Sequence, residues 1–147
     1  MDLAEIDVSY QVGTDRLPQL MDLYAAEWWT DGRTADDVTR MMQATDLVVA
    51  LVHRPTDRLV GFARVLTDYT YLALILDVIV AADSRRSGLG ALLMDTIVGH
   101  DRLAGVQSLE LVCQPGLVPF YRRWGFTDRV GGSGLMRRTS DPRWLDP

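Results

Sequence analysis

The sequence predicts a single mixed α/β domain. Three observations carry that prediction. The chain has 147 residues, the length of one compact domain. It is 48% hydrophobic and 24% charged, which argues against disorder because the chain has ample apolar surface to bury in a core. Finally, β-rich runs alternate along the chain with runs in which apolar residues recur at three- and four-residue steps. No repeat, low-complexity tract or linker interrupts this pattern, and residues 1–147 read as one domain.

The elements follow in order. Ile6 to Val12 alternates weakly as a first strand, closed by Gly13-Thr14-Asp15. Leu17, Leu20, Met21, Tyr24 and Trp28 form the apolar stripe of a helix that ends near Trp29-Thr30-Asp31-Gly32. Thr34-Ala35-Asp36-Asp37 resembles a capping box with a shorter acid, ahead of a short helix marked by Val38, Met41 and Met42. Two β-rich runs, 47–52 and 59–66, flank the turn cluster Arg54-Pro55-Thr56-Asp57 and read as a hairpin. Tyr71 to Ala81 is apolar on both faces, as a strand covered on two sides should be, and Asp77 is its only charge. Helical spacing resumes at Leu89, Leu92, Leu93 and Ile97. Ser108 to Cys113 alternates as a strand, Leu117, Phe120, Tyr121 and Trp124 trace a short helix stopped by Gly125, and a last strand is expected around Leu135 to Arg138.

Composition removes several function classes. The net charge of −5 lacks the positive field that nucleic acids or anionic membranes require, so neither is an expected partner. All 15 basic residues are Arg; with no Lys, neither a Schiff base nor a Walker-type phosphate loop is available. Cys113 is the single cysteine and the two His are far apart, which argues against a disulfide or a metal site. The first residues carry no basic signal region, and the longest apolar run is broken by Asp77. A cytoplasmic protein is expected.

The sharpest chemical feature is Arg85-Arg86-Ser87-Gly88-Leu89-Gly90, which joins a buried strand to a helix N-terminus. Unpaired amides and the positive end of the helix dipole attract an anion there, the glycines admit it close to the backbone, and the arginines add charge. An ordinary turn is the alternative. The spacing after Gly90 does not fit a dinucleotide-binding fingerprint.

The run Val78-Ile79-Val80-Ala81-Ala82-Asp83 leading into that loop resembles the acetyl-CoA motif of the GNAT N-acetyltransferase superfamily, Q/R-x-x-G-x-G/A after a strand, with Arg85, Gly88 and Gly90 in its fixed positions. Phe120-Tyr121-Arg122-Arg123-Trp124-Gly125-Phe126 looks like the family's second signature. Two departures stand out: Ala82 where the family often has Pro, and Gln114-Pro115-Gly116-Leu117 where an Asn or an Asp-Ala pair is common.

The resemblance implies a mostly antiparallel sheet of six or seven strands flanked by four helices and splayed between strands 4 and 5. It implies acetyl transfer from acetyl-CoA to a primary amine by direct attack. Pantetheine would pair with Val78, Ile79 and Val80, and the pyrophosphate would meet Arg86, Ser87, Gly88, Leu89, Gly90 and Ala91, with Arg85 beside them. Tyr121 would protonate the departing thiolate, although by periodicity alone it belongs to an apolar helix stripe. Asp77 is a candidate base. A carboxylate in an apolar strand should have a raised pKa or a hydrogen-bonded partner, and it could equally anchor a loop or pair with Arg64. Glu110 and His53 read as surface residues, and Cys113 as a small hydrophobe rather than a nucleophile.

By the family's layout the acceptor meets the segment between the first two helices and the hairpin. Trp29, Asp31, Arg33 and Arg64 are the candidates, with Phe62, Asp68, Tyr69 and Tyr71 nearby and packing duty as the alternative for each. Arg122 and Arg123 could reach the 3′-phosphate or simply coat a helix. The acceptor is a small-molecule or peptide amine, no metal is implied, and a homodimer is compatible because many members of the family dimerise. A GNAT-fold module that binds acyl-CoA without catalysis is the main rival, and a nucleotide-phosphate binder is a weaker one.

Overall fold

In a computed structural model, which describes residues 1–146, the chain forms a five-stranded sheet in sequence order with four α-helices among the described residues. The strands are β1 (Ile6–Ser9), β2 (Leu47–His53), β3 (Arg58–Thr67), β4 (Leu72–Val80) and β5 (Ser108–Leu111). The helices are α1 (Leu17–Ala25), α2 (Ala35–Gln43), α3 (Leu89–Val98) and α4 (Val118–Arg122). β1 to β4 pair antiparallel, and β5 runs parallel to β4.

The expected hairpin is present: β2 and β3 flank a single 3₁₀ turn, Arg54–Thr56, and Asp57 takes a left-handed conformation that Arg16 fastens from α1's approach. β2 is buried at every residue from Leu47 to Val52, so the sheet is covered on both faces. Tyr24 of α1 packs edge-on against Phe62 of β3, while Leu89, Leu93, Met94 and Ile97 of α3 complete the core. Thr34 caps α2 by accepting from the Asp37 amide at 3.2 Å, the half of the capping box that a shorter acid leaves intact.

Three expectations are corrected. The sheet has five strands, not six or seven, because residues 135–138 form no strand. Leu135 and Met136 are adjacent rather than alternating, so they define no single apolar face, and both are exposed. β1 stops at Ser9 instead of reaching Val12. Finally, α1 ends at Ala25, short of Trp28: the buried Thr30 hydroxyl donates to the Tyr24 carbonyl at 2.7 Å, taking an acceptor that a longer helix would have used, and Trp28 is left half-exposed. No helix among the described residues is long and apolar enough to cross a membrane.

Candidate active site

The site begins with an irregularity in β4. Phe62 pairs with Ile79 and Arg64 with Leu76, so β4 carries one residue more than β3 between those pairs and bulges at Asp77, whose φ is +53°. The Asp77 side chain is buried and fully engaged. Its Oδ2 accepts from the Tyr24 hydroxyl (3.0 Å), Arg33 Nη1 (2.8 Å) and Arg64 Nε (2.6 Å), and its Oδ1 from Arg33 Nη2 (3.2 Å). Arg33 also lies over the Tyr24 ring, 4.6 Å from its centroid. Burial alone would push the Asp77 carboxyl up, but the hydrogen bonds and charges of Arg33 and Arg64 outweigh it and hold the group below its ordinary value. The pairing with Arg64 weighed from the sequence is thus present, and Asp77 is an ionised carboxylate whose lone pairs are already taken.

Beyond the bulge, β4 and β5 separate. Their ladder runs from Leu72–Ser108 to Ile75–Leu111 and stops there, while β4 continues to Val80. The outer edge of Leu76 to Val80 therefore faces no strand. A cavity of about 540 Å³ opens at this divergence, bounded by Asp77 and Val78 on one side, Cys113, Gln114 and Tyr121 on the other. Its size is that of an ordinary small-molecule site.

Tyr121 reaches this cavity from α4. Phe120 stands 3.3 Å from where a Cβ on Gly90 would lie, so α4 docks closely on the first turn of α3, and the Trp124 indole donates to Asp95 of α3 at 2.7 Å. The Tyr121 ring is buried, yet its hydroxyl has no protein partner among the described residues. No fully buried side-chain oxygen or nitrogen there lacks one, so this hydroxyl opens onto the cavity. Burial and the neighbouring Cys113 push its pKa up to about 12, which keeps it a protonated donor. Burial, then the charge of Asp128, also raises the Cys113 thiol, the opposite of an activated nucleophile.

At the other end of the exposed β4 edge, the chain passes through a 3₁₀ turn, Ala82–Ser84, into α3. Arg86 has φ +60°, and Gly88, at φ +86°, is the N-cap residue; no side chain caps the helix there. The first amides of α3 thus have neither helical nor side-chain acceptors. The Arg85 guanidinium does not lie over them; it pairs with Glu27 beyond the end of α1. A smaller cavity of about 350 Å³ beside α1 holds Glu27, Arg58 and Asp83, all three already in ion pairs.

Of the acceptor-side candidates, Trp29, Arg33 and Arg64 line the larger cavity, and Asp31 does not: its contribution is a backbone carbonyl that accepts from Arg143. Asp68 instead caps its own loop by accepting from the amides of Thr70, Tyr71 and Leu72. Arg122 is paired with Asp128, and Arg123 lies over Trp124. Five participants lay outside the expectation. Tyr24 read as a core residue, and its hydroxyl braces Asp77. Trp28 and Trp144 meet with ring centroids 5.6 Å apart at the cavity wall, and Arg138 lines it from the C-terminal segment. That segment is fastened by Arg143, which donates to the carbonyls of Trp28 (2.7 Å) and Asp31 (2.8 Å). Only the clustering of Arg and Trp near the C-terminus could have suggested it.

Comparison with known proteins agrees with this geometry. The family profile described as "Acetyltransferase (GNAT) domain" matches residues 17–134. The chain is 29% identical over 124 residues to the uncharacterized N-acetyltransferase ycf52 of Porphyra purpurea, covering 79% of this chain and 71% of that protein. It is 31% identical over 121 residues to GCN5-related N-acetyltransferase 1, chloroplastic, of Arabidopsis thaliana, covering 82% of this chain and 61% of that protein. Among solved structures, a GNAT-family chain from Xanthomonas campestris pv. campestris superposes with a TM-score of 0.77 at 27% identity, covering 91% of this chain and 92% of that one. With the profile spanning most of its length, a splayed sheet and an uncapped helix following the fourth strand, this chain belongs to the GNAT acetyltransferase family.

Proposed function

We propose that this protein transfers an acetyl group from acetyl-CoA to a primary amine by direct attack in a ternary complex. The observation that carries the reading is the arrangement along β4: a strand edge without a partner, running from a cavity that contains a free phenol to an uncapped helix N-terminus. These features suit the three parts of the co-substrate. The open edge along Val78, Ile79 and Val80 offers the pantetheine arm strand-like hydrogen bonds from the backbone of Val78 and Val80, because the pairing with β3 turns Ile79 inward. The turn of Arg86, Ser87, Gly88, Leu89, Gly90 and Ala91 offers the pyrophosphate unpaired N–H groups and a favourable dipole. Arg85, already paired with Glu27, contributes charge rather than a direct clamp.

In the transfer step the amine nitrogen bonds to the thioester carbonyl carbon, the C–S bond breaks, and the sulfur leaves with its electron pair. An N–H on the β4 edge polarises the carbonyl as charge develops on its oxygen. Tyr121 donates its proton in a hydrogen bond to the departing sulfur. With a pKa of about 12 it is a weaker acid than a thiol, so it stabilises the leaving thiolate chiefly as a donor.

Asp77 holds Arg33 and Arg64 in place; the acceptor enters as its neutral amine, and the proton its nitrogen loses as the amide forms passes to solvent. Apart from Asp77, no carboxylate or imidazole lines the cavity among the described residues. The test is free-thiol release from acetyl-CoA across an amine panel, with a parallel titration of CoA binding. Amine-dependent release supports transfer; binding without release on any amine would leave a non-catalytic CoA-binding module.

A further inference from the structure

The acceptor side of the cavity carries charge that the transfer reading does not use. Arg33, Arg64, Arg137 and Arg138 line it, and Asp77 is the only carboxylate among its lining residues. This is a cationic chamber in a chain whose net charge is −5. We infer that the acceptor amine carries an anionic group, a carboxylate or phosphate near its amine, which the guanidinium groups of Arg64 and Arg138 receive. The inference rests on the acetyl-transfer reading of the same cavity and adds the class of its acceptor.

The Arg64 geometry is the strongest support. Its side chain is only 12% exposed, and it gives Asp77 its Nε alone. Neither of its two Nη atoms donates to a protein group among the described residues. Since no fully buried side-chain nitrogen there lacks a partner, both must be reached from open space, and the cavity is the space Arg64 lines. A guanidinium held this rigidly, with its planar fork turned to a chamber and poorly hydrated, is suited to an oxyanion. Arg33, by contrast, has both Nη atoms on Asp77. Arg138 has no ion pair among the described residues, whereas Arg137 is held by the Trp144 carbonyl and ring.

Phosphates of the co-substrate do not account for this charge, because no residue of the 85–91 loop lines the cavity. The same field acts on the amine. Positive neighbours disfavour an ammonium and favour the neutral nucleophile, provided the acceptor's own anion offsets the cost of entry. A polyamine or another polycation would meet repulsion without that compensation. Trp28, Trp29 and Trp144 supply an apolar wall for the rest of the molecule, so an amine with an aromatic or aliphatic body and one anionic group fits best.

Matched pairs test this: tyrosine against tyramine, tryptophan against tryptamine, O-phosphoethanolamine against ethanolamine, and spermidine as a polycation, each with acetyl-CoA in the thiol-release assay. At least one member with the anionic group should show a kcat/KM about tenfold or more above its counterpart without it, and which pair does so separates carboxylate from phosphate. Arg138→Gln, which removes no hydrogen bond or ion pair among the described residues, and Arg64→Gln, which keeps a donor toward Asp77, should both shrink that preference toward unity through KM. A readout independent of turnover is quenching of tryptophan fluorescence, in the presence of CoA, by N-acetyltyrosine and N-acetyltyramine. Stronger binding of the former, weakened in Arg138→Gln, supports the anion site. Members without the anionic group used as well as or better than those with it would overturn the inference and leave acetyl transfer standing. No release with any acceptor would overturn the transfer reading, and equal quenching by the two acetylated compounds would then overturn the anion site as well.

Discussion

Replacing Asp77 by Asn keeps the shape of the side chain and removes the charge that Arg33 and Arg64 share. The carboxylate accepts four hydrogen bonds, three of them at Oδ2. An amide oxygen in the Oδ2 position keeps those three in weakened, neutral form, but its NH₂ then confronts Arg33 Nη2, donor against donor. Two guanidinium groups also lose their counter-ion where the Arg64 side chain is 12% and the Arg33 side chain 29% exposed. Breaking a buried ion pair by removing one partner costs about 3–5 kcal/mol, and the partial exposure of Arg33 places Asp77→Asn near the lower end, about 3 kcal/mol. At roughly 2–4 °C per kcal/mol for a domain of this size, Tm should fall by about 6–12 °C at pH 7.

The same experiment has a pH arm. The folded pKa of Asp77 lies below its unfolded value, so its contribution is present above the ordinary Asp range and is lost as pH falls through the folded pKa. The Tm gap between wild type and Asp77→Asn, measured by circular dichroism, should therefore narrow below about pH 4. A gap under about 2 °C at neutral pH, or one that does not shrink in acid, would refute the brace. If instead the variant melts like the wild type but loses the acidic limb of its kcat/KM profile, Asp77 is the proton acceptor.

Tyr121→Phe should lower kcat about tenfold or more while CoA affinity and Tm hold, because the hydroxyl has no protein partner to lose. Since Tyr121 stays protonated to about pH 12, the pH–rate profile should show no falling limb from it below about pH 11. Gly88→Ala forces a Cβ into φ +86° at a cost of about 1–2 kcal/mol and should weaken CoA binding measured by calorimetry; unchanged affinity would remove the loop from the binding site. Arg143→Ala releases the C-terminal segment from the Trp28 and Asp31 carbonyls, so limited proteolysis within residues 137–146 should accelerate with little change in Tm.

The sequence by itself determined the parts that are local. The strand–turn–helix order around Arg85 to Gly90 was legible because strand, turn chemistry and helix stripe are contiguous, whereas Tyr121 stood out only through the family signature, since its periodicity reads as core packing. The hairpin was equally plain, since a Pro-containing turn between two β-rich runs leaves little alternative. Asp77 was conspicuous as one charge in an apolar strand, and burial of such a charge requires partners wherever they come from.

Which partners came was decided by tertiary structure. Arg64 was foreseeable on the neighbouring strand, but Tyr24 and Arg33 arrive from the end of α1 and the loop beyond it, 53 and 44 residues away in the chain. The length of α1 misled for a related reason: its apolar spacing continues to Trp28, while the Thr30 hydroxyl closes the helix on the Tyr24 carbonyl. The C-terminal segment shows the limit most clearly. Residues 135–138 could have extended the sheet, yet the tail is fastened across the cavity wall by Arg143 and Trp144, a choice set by contacts with Trp28 more than 100 residues earlier. Periodicity encodes which face of an element is buried, and long-range packing alone decides what buries it.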